Sequence, residues 1–321
     1  MENIAIISGG FSGESVISIE SAKFVVENID RSKYTGYQII IDGSGWYYLD
    51  KNGKRYDVDR NDFSLSLPQG KITFAKVFNI IHGDPGENGK MTAYFEMLGI
   101  PSTSSNSVVS ALTFNKAYCN KVVSALGVNT ASEVYLNAGD EINSEEILQI
   151  TGLPCFVKPN AGGSSIGMSK VNEKEELIPA IERAFAEDSQ VLIEEYIEGR
   201  EVTCGVIHSK GATYVLPLCE VVSKNDFFDY QAKYEKGLAE EIIPAPVDKS
   251  TEESVKATSS YLYHKLNCSG IVRMDYIVTD DNIYFLEVNT IPGLSGASIV
   301  PKMAKEFGWS YKELIDRIME G

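Results

Sequence analysis

The sequence predicts an α/β protein, because short apolar runs typical of buried strands alternate along the chain with helical segments. The chain opens with a strand-like run at residues 4–7, followed by Ser8-Gly9-Gly10 and a helical pattern at residues 15–29. Further buried-type strands are predicted at residues 77–81 and 155–159. A strand, a tight turn and a helix in this order form the usual opening of an α/β domain.

The composition limits the classes of partner. Hydrophobic residues make up 43% and charged residues 23% of 321 positions, which is ordinary for a globular protein of two or three domains. A net charge of −16 repels nucleic acid and anionic membranes, so we expect neither as a partner. We expect no secretory signal and no membrane-spanning run, and five cysteines without a C-x-x-C pair favour reduced thiols in the cytoplasm.

The remaining elements continue the alternation. Strands are predicted at 37–42, 46–50, 168–171, 190–197 and from 201, and helices at 115–126, 173–186, 249–266 and 310–320. Residues 51–75 show no clear pattern, and residues 101–107 are rich in Ser and Thr and predict a link between domains. Residues 223–240 carry aromatic and charged side chains without periodicity, which favours a lid loop. Lys116 and Lys121 are predicted on the exposed side of their helix, where solvated lysines are the default interpretation.

Two polar residues mark the ends of N-terminal elements. His82 leads a glycine-rich turn directly after the strand at 77–81, and ligands of open α/β sheets bind at that end of a strand. This position favours a functional histidine over a structural one whose hydrogen bonds are satisfied within the core. Glu14 stands at the start of the helix at 15–29, where the helix dipole alone would also favour a carboxylate.

A glycine-rich loop at residues 160–167 joins the strand that ends in Lys158-Pro159 to the next strand. Small residues let backbone N–H groups approach phosphate oxygens, and a strand lysine beside them can pair with the same phosphates. The loop does not open into a helix and lacks the G-x-x-x-x-G-K-[ST] pattern, which argues against a Walker P-loop. A phosphate-binding flap is therefore favoured over a plain hairpin.

The strongest pattern is a hairpin predicted at residues 271–294, where polar residues interrupt an apolar alternation. A three-residue loop at 280–282 sets Asp275 opposite Glu287 and Arg273 opposite Asn289 on one face, whereas a two-residue loop would divide them between two faces. The other face is then a core face. It comprises Val272, Met274, Tyr276, Val278, Tyr284, Leu286 and Val288.

Two carboxylates and an amide on one rigid face suit Mg²⁺, which binds hard oxygen ligands together with substrate phosphates. Without a cation, Asp275 and Glu287 would repel each other. For the hairpin alone, a solvated polar face with one Arg–carboxylate pair is an equally good explanation. The turn at residues 290–294, with Pro292 and Gly293, favours a site because its backbone N–H groups can act as oxyanion donors.

Together these motifs resemble the D-alanine:D-alanine ligases of the ATP-grasp superfamily, in the family's order and over nearly the whole chain. The residues that carry the resemblance are Glu14, His82-Gly83, Lys116, Lys158-Pro159, residues 163–167, Lys233-Tyr234, Arg273-Met274-Asp275 and residues 287–293. The resemblance implies an ATP-grasp fold with a Rossmann-like N-terminal α/β domain at 1–100. A central small subdomain would span 101–187 and a C-terminal subdomain 188–321.

The resemblance also implies the reaction, which is ATP-dependent ligation of two D-alanine molecules for peptidoglycan precursor synthesis in the cytoplasm. The first D-alanine's carboxylate would take the γ-phosphoryl group, and the second D-alanine's amine would attack the acyl phosphate. The implied cofactors are ATP and two Mg²⁺ ions, for which Mn²⁺ could substitute. The implied assembly is a homodimer.

The implied metal ligands are Asp275, Glu287 and Asn289, and the implied oxyanion donors are Arg273 and the Gly293 N–H. ATP would be held by Lys116, Lys158, Ser164, Ser165, Glu194, Glu195, Ile197, Glu201 and Lys233. Both sets follow from the family's motifs at these positions.

The implied substrate residues surround the N-terminal helix. Glu14 would hold the first substrate's ammonium group beside His82, and Ser164 would link Glu14 to Tyr234 on the lid. The residues implied for the second substrate are Ser298 and Ile299. Lys233-Tyr234 is the pairing expected of dipeptide-forming members, which predicts D-alanine as the second substrate.

Three departures from the family's pattern lie around the first-substrate pocket. Residues 15–17 are Ser-Val-Ile instead of a basic and then an acidic residue, Asn88 replaces a frequent aspartate, and Met91-Thr92 replaces an apolar-Gln pair. Two other functions are kept as alternatives: a non-catalytic nucleotide-binding regulator, and a ligase that joins D-alanine to D-serine or D-lactate. The regulator hypothesis predicts that substrate-binding residues have been lost, but Glu14, Ser164, Tyr234 and Ser298 are all present.

Overall fold

The computed structural model describes residues 1–163, 165–223 and 239–321. Ser164, Lys233, Tyr234 and most of the predicted lid lie outside the described residues. The described strands form three sheets. The α/β fold class predicted from the sequence is confirmed.

The N-terminal sheet has the strand order β6-β5-β4-β3-β2-β1-β7. Its strands are β1 (Glu2–Gly9), β2 (Tyr34–Asp42), β3 (Gly45–Leu49), β4 (Arg55–Asp59), β5 (Ser64–Leu67), β6 (Gly70–Ile72) and β7 (Lys76–Asn79). β1 is parallel to β2 and β7, and its side chains alternate between two cores, with Ile4 and Ile6 in one and Ala5 and Ile7 in the other. A strand covered on both faces is apolar throughout, which explains the opening run. Residues 51–75, where no pattern was predicted, contain β4, β5 and β6.

The helices cover these sheets and begin at recognisable caps. They are α1 (Ser15–Asn28), α2 (Lys90–Leu98), α3 (Ser107–Phe114), α4 (Lys116–Ala125), α5 (Ser144–Thr151), α6 (Leu177–Phe185), α7 (Lys249–Lys265), α8 (Ile299–Glu306) and α9 (Tyr311–Met319). Asn106 and Asn115 accept N–H groups of the first turns of α3 and α4, so the predicted link at 101–107 ends in a helix cap. None of the helices in the described ranges has the length and apolar character needed to cross a bilayer.

Two further sheets face each other across the functional site. The smaller has the order β10-β9-β11-β8, with β8 (Glu133–Asn137), β9 (Cys155–Pro159), β10 (Ser169–Val171) and β11 (Gln190–Glu195). The larger has the order β15-β14-β12-β16-β17, and β13 pairs with β12. Its strands are β12 (Arg200–Ser209), β13 (Ala212–Val215), β14 (Cys219–Ser223), β15 (Ala239–Ile242), β16 (Ile271–Val278) and β17 (Ile283–Asn289).

The β16–β17 hairpin has the predicted pairing but a different turn. Asp275 lies opposite Glu287 and Arg273 opposite Asn289, as predicted. The three-residue loop is wrong, because β16 ends at Val278 and β17 begins at Ile283, and the register shifts between Asp275 and Tyr276. This bulge inserts one extra residue into β17 and restores the predicted pairing beyond it.

The bulge also corrects the predicted core face. Phe285 is only 2% exposed and packs in the core, whereas the prediction placed Tyr284 and Leu286 there. Those two side chains line a cavity instead. The other predicted core residues, Val272, Met274, Tyr276, Val278 and Val288, are buried. One inserted residue therefore exchanges the faces of the strand on the side of the turn.

Candidate active site

A cavity of about 320 Å³ separates the smaller sheet from the β16–β17 hairpin. This volume lies at the lower end of the range that ligand pockets occupy. The predicted residues that line it are Lys116, Lys158, Ser165, Glu194, Glu195, Ile197, Glu201, Arg273, Asp275 and Glu287. One part of the lining is apolar and comprises Phe156, Ile166, Met168, Tyr196, Ile277 and Leu286. The cavity thus combines an apolar region, which suits a flat ring, with a strongly charged region.

Lys158 reaches the cavity from β9 and is held by a buried carboxylate. Its Nζ lies 2.5 Å from Glu194 Oε2, and the two side chains are 8% and 6% exposed. Asn120 Nδ2 donates to Glu194 Oε1 at 3.1 Å and to Glu133 Oε2 at 2.8 Å. Burial raises the pKa of Glu133, and the hydrogen bond from Asn120 opposes this rise. The Glu194 carboxylate therefore holds Lys158 in position at the cavity.

Lys116 is not a solvated surface lysine. Its side chain is 14% exposed, and its Nζ donates to the Gly162 carbonyl at 2.7 Å and lies 3.3 Å from Glu287 Oε2. Burial lowers the pKa of Lys116, but the Glu287 carboxylate more than offsets this, so the pKa is raised and the ammonium group stays charged. Lys116 therefore connects α4 to the glycine-rich flap and to the hairpin.

The polar face of the hairpin is formed as predicted. Arg273 donates from Nε and Nη2 to the two oxygens of Asp275, at 2.9 and 2.8 Å. Asn289 Nδ2 donates to Asp275 Oδ2 at 3.0 Å and reaches Glu287 Oε1 at 3.5 Å. Burial lowers the pKa of Arg273, but Asp275 and Glu287 raise it well above its usual value. The four side chains share one face and one network.

The oxygen atoms of this network suit a metal ion that also binds phosphate. Within the described part of the chain, no group of three or more His, Cys, Asp or Glu side chains is arranged to hold a metal. Asp275, Glu287 and Asn289 offer hard oxygen ligands in the small number that Mg²⁺ uses when phosphates supply the rest. Asn289 presents its amide nitrogen to both carboxylates, and rotation of the amide would present the oxygen instead. The donor set fits Mg²⁺ bound together with a triphosphate.

Glu14 lies against the flap rather than capping its own helix. It is the N-cap residue of α1, but its side chain makes no capping hydrogen bond. A Cβ atom added to Gly163 would lie 2.6 Å from Glu14 Oε2, so the carboxylate packs directly on that glycine. The helix dipole therefore does not account for the direction of this side chain. Ser164, the predicted link to the lid, lies outside the described residues.

One ring nitrogen of His82 makes a hydrogen bond, and the other is buried. The residue is 6% exposed, and its Nδ1 lies 2.8 Å from the Ile291 carbonyl oxygen. Because a carbonyl oxygen only accepts, Nδ1 must carry the proton, and Nε2 of the neutral ring is then an acceptor. Burial lowers the pKa of His82, opposed by Glu14, and this favours the neutral ring. Nε2 is buried without a hydrogen-bond partner among the described residues.

Glu87 lies in the same turn and was not predicted as a site residue. Its Oε2 accepts the Gly83 N–H at 3.1 Å. Burial, and next the charge of Glu14, raise the pKa of Glu87 to about 7. The sequence signal was weak, because an acid in a glycine-rich turn is usually exposed to solvent.

The turn after β17 holds the remaining predicted residues. Ser298 Oγ accepts the Ser295 N–H at 3.1 Å and lies 2.8 Å from Ser295 Oγ, and Ile299 begins α8. A Cβ atom on Gly293 would lie 2.8 Å from Ser298 Oγ, so a side chain here would displace the Ser298 hydroxyl group. Within the described ranges the Gly293 N–H has no hydrogen-bond partner. Among the predicted residues that the structure describes, those that do not line the cavity are Glu14, His82, Asn289, Gly293, Ser298 and Ile299.

Known proteins are similar to this chain over nearly its whole length. The family model described as D-ala D-ala ligase N-terminus matches residues 3–105, and the one described as D-ala D-ala ligase C-terminus matches residues 122–320. A D-alanine–D-alanine ligase from Flavobacterium johnsoniae is 48% identical over 320 residues, covering 100% of this chain and 99% of the relative.

Two solved structures extend the comparison. The VanG D-Ala:D-Ser ligase from Enterococcus faecalis has a TM-score of 0.86 and 33% identity, covering 99% of this chain and 98% of its own. The D-alanine–D-alanine ligase from Bacillus anthracis complexed with ATP has a TM-score of 0.79 and 29% identity, covering 100% and 97%.

Proposed function

The chain belongs to the D-alanine–D-alanine ligase family, and on this basis we propose a role for each residue of the site. The reaction is the ATP-dependent ligation of two D-alanine molecules to D-alanyl-D-alanine, a step in the synthesis of peptidoglycan precursors. The proposal rests most directly on the register of the β16–β17 hairpin. That register places Arg273, Asp275, Glu287 and Asn289 on one face of the hairpin, and the first three line a cavity together with two lysines.

ATP is proposed to bind with its adenine in the apolar part of the cavity and its phosphates in the charged part. Phe156 and Tyr196 have ring centroids 5.9 Å apart on the apolar side, and Ile197 follows in the lining. Lys116 and Lys158 would contact the phosphates, and the flap would add backbone N–H groups. Because Glu287 and Glu194 already face these lysines, the triphosphate must share or replace those contacts.

Asp275, Glu287 and Asn289 are the proposed ligands of Mg²⁺, with Mn²⁺ as a substitute. When bound, the metal would neutralise charge on the phosphates during phosphoryl transfer. Arg273 at present uses both oxygens of Asp275. Release of one of those bonds would leave a carboxylate oxygen as a ligand and would turn an N–H of Arg273 towards the substrate.

The amino-acid half is proposed to bind both D-alanine molecules. Glu14 would hold the ammonium group of the first, and the unprotonated Nε2 of His82 would accept a further N–H from it. Arg273 and the Gly293 N–H would stabilise the oxyanion that forms when the second amine attacks the acyl phosphate.

The second substrate and the lid complete the proposal. Ser298 and the first N–H groups of α8, from Ile299 onwards, would bind the second substrate's carboxylate, which a helix N-terminus favours. Ser164, Lys233 and Tyr234 keep the roles that the family resemblance implies. D-alanine is the proposed second substrate, because Lys233-Tyr234 is the pairing expected of dipeptide-forming members.

Assembly, domain limits and location are also proposed. The proposed limit at 100 falls between β7 of the N-terminal sheet and β8 of the smaller sheet, whereas the proposed limit at 187 falls between β10 and β11, which belong to the same sheet. Homodimer formation is consistent with Met97 and Val108, which are strongly exposed on the adjacent helices α2 and α3. Five buried free cysteines are consistent with a reducing cytoplasm.

One assay with exchanged substrates tests the proposed function. The purified protein is given ATP with or without Mg²⁺ and with D-alanine, D-serine or D-lactate, and phosphate release is measured while the product is identified by mass. We expect release to require both Mg²⁺ and D-alanine and to yield D-alanyl-D-alanine. ATP hydrolysis indifferent to D-alanine would indicate a regulator, and turnover only with D-serine or D-lactate added would indicate another acceptor.

A further inference from the structure

Glu87 is an acidic residue inside the site that none of the proposed binding or catalytic roles uses. It lies in the segment between β7 and α2 that begins with His82-Gly83, and this segment packs on the turn that follows β17. The charged groups that act on it come from three other elements. They are Glu14 before α1, Lys116 at the start of α4 and Glu287 on β17.

Glu87 closes the turn that carries His82. Its carboxylate Oε2 accepts the Gly83 N–H at 3.1 Å, and its own N–H donates to the Gly83 carbonyl at 2.7 Å. Both bonds end on the residue that follows His82. The direction of the imidazole is therefore fixed from Glu87.

The same loop holds the backbone of Ile291. His82 Nδ1 donates to the Ile291 carbonyl at 2.8 Å. Pro292, which follows, has a fixed φ and no N–H of its own. The direction of the next N–H, that of Gly293, therefore depends strongly on how the Ile291 peptide is held.

We propose that Glu87 is a positioning residue for the ligation, which holds the His82 loop against Ile291 and so directs the Gly293 N–H at the oxyanion. The inference deepens the proposed function and rests on it. A carboxylate is suited to this role because either of its oxygens can accept the Gly83 N–H, whereas a glutamine side chain has one acceptor oxygen.

The position of Glu87 supports a functional rather than a packing role. The carboxylate is placed near Glu14 and Glu287, and burial together with the charge of Glu14 raises its pKa to about 7. An uncharged residue would avoid this repulsion. Groups with strongly perturbed pKa values inside a cleft are typical of functional sites.

The test uses the full chain with Glu87→Gln, with Lys90→Gln as the matched control. Lys90 lies at the start of α2, and its Nζ pairs with Asp84 at 2.6 Å on the exposed side of the same segment. Such exposed pairs contribute little, so the control should retain wild-type kinetics. The measurements are kcat, the KM values for D-alanine and ATP, ATP binding by calorimetry, and kcat between pH 5.5 and pH 8.5.

We expect Glu87→Gln to lower kcat by roughly 10- to 100-fold, since small misplacements of catalytic groups have effects of this size. The KM for ATP should stay within about 2-fold, because Glu87 lies outside the nucleotide cavity. In the wild type, kcat should rise with pH through about 7 as the carboxylate ionises. That rise should be flattened in Glu87→Gln, whose side chain does not titrate.

Each result distinguishes a positioning role of Glu87 in the reaction from a purely structural role. A kcat within about 2-fold of wild type, or an unchanged rise with pH, overturns the inference, as does a loss of ATP binding that parallels the loss of kcat. If Glu87→Gln does not fold, Glu87→Asp decides: it must lose kcat and keep the rise with pH, and full activity overturns the inference. A wild-type protein that forms no D-alanyl-D-alanine overturns the proposed function instead.

Discussion

The two halves of the site hold their polar groups in opposite ways. In the proposed nucleotide half, buried cations have carboxylate partners, as in the 2.5 Å contact of Lys158 with Glu194 and the paired bonds from Arg273 to Asp275. In the proposed amino-acid half, His82 is held by the Ile291 carbonyl and Glu87 by the Gly83 N–H, which are both backbone groups. The first half is balanced by charge and must exchange partners when it binds its ligand. Binding in the second half depends on the exact positions of a few side chains, so a change of one atom should affect it.

The charge balance of the nucleotide half is broken most strongly by Lys158→Met. The substitution leaves the buried Glu194 carboxylate without its cation, and breaking a buried ion pair in this way costs about 3–5 kcal/mol of unfolding free energy. Adding Glu194→Gln should recover most of that loss, because no buried charge is then left unpaired. ATP affinity should stay low in the double variant, since the phosphate-binding cation is still missing. Denaturant unfolding and ATP calorimetry on the single and double variants measure both effects, and a double variant that binds ATP normally would contradict the role of Lys158.

Arg273→Ala removes the guanidinium group that lines the nucleotide cavity and is also the proposed oxyanion donor. We expect turnover to fall by roughly 10²- to 10³-fold, the usual result of removing one oxyanion donor. ATP binding should persist, because an oxyanion donor acts mainly in the transition state. Steady-state phosphate release and ATP calorimetry are the measurements. Turnover close to wild type would remove the oxyanion role from Arg273.

Gly163→Ala tests the dependence of the amino-acid half on shape. The new Cβ atom would lie 2.6 Å from Glu14 Oε2 and would displace the carboxylate proposed to hold the first substrate's ammonium group. We expect the KM for D-alanine to rise about 10-fold, in keeping with the ~1–3 kcal/mol that overpacking costs. Gly162→Ala is the matched control, because nothing lies within 4 Å of a Cβ atom there. Equal KM values in the two variants would show that the contact between Glu14 and the flap is unimportant.

The smallest expected effect is on stability and concerns Glu87. Its folded-state pKa of about 7 lies above its ordinary value of 4.5, so the native state binds more protons than the unfolded state between these two pH values. Wild-type stability therefore falls as the pH rises through this window, whereas Glu87→Gln escapes that loss. The variant should unfold at a temperature higher than the wild type by on the order of a few degrees at pH 8, with a smaller difference at pH 4.5. Calorimetric scans at both pH values check this, and a difference independent of pH would contradict it.

Patterns within one strand were predictable from the sequence. The alternation of Arg273 with Asp275, and of Glu287 with Asn289, predicted a polar face because successive side chains of a strand point to opposite sides. The turn was predictable only in part. The bulge opposite Asp275 inserts one residue into β17, and no local sequence pattern indicates it. For this reason Phe285 was placed on the wrong face and Leu286 was placed in the core.

Contacts between distant segments were not predictable from periodicity. Lys116 occupies a helix position that is normally solvated, but Gly162 and Glu287 close over it from two other elements. The contact of Glu194 with ATP stays a prediction, and the structure adds a contact of its carboxylate with Lys158 that no local pattern indicated. Glu87 gave only a weak signal, since its contacts with Gly83 and its closeness to Glu14 depend on how the turn is packed.

The sequence by itself determined the α/β class, the family and the polar face of the hairpin, because these follow from motifs and from alternation over a few neighbouring residues. Only the tertiary structure decided which carboxylate each cation meets and which loop holds the oxyanion turn. His82 and Ile291 are 209 residues apart in the chain and 2.8 Å apart in the fold. The free energy of such a contact depends on the packing of whole elements, and a local pattern carries no record of it.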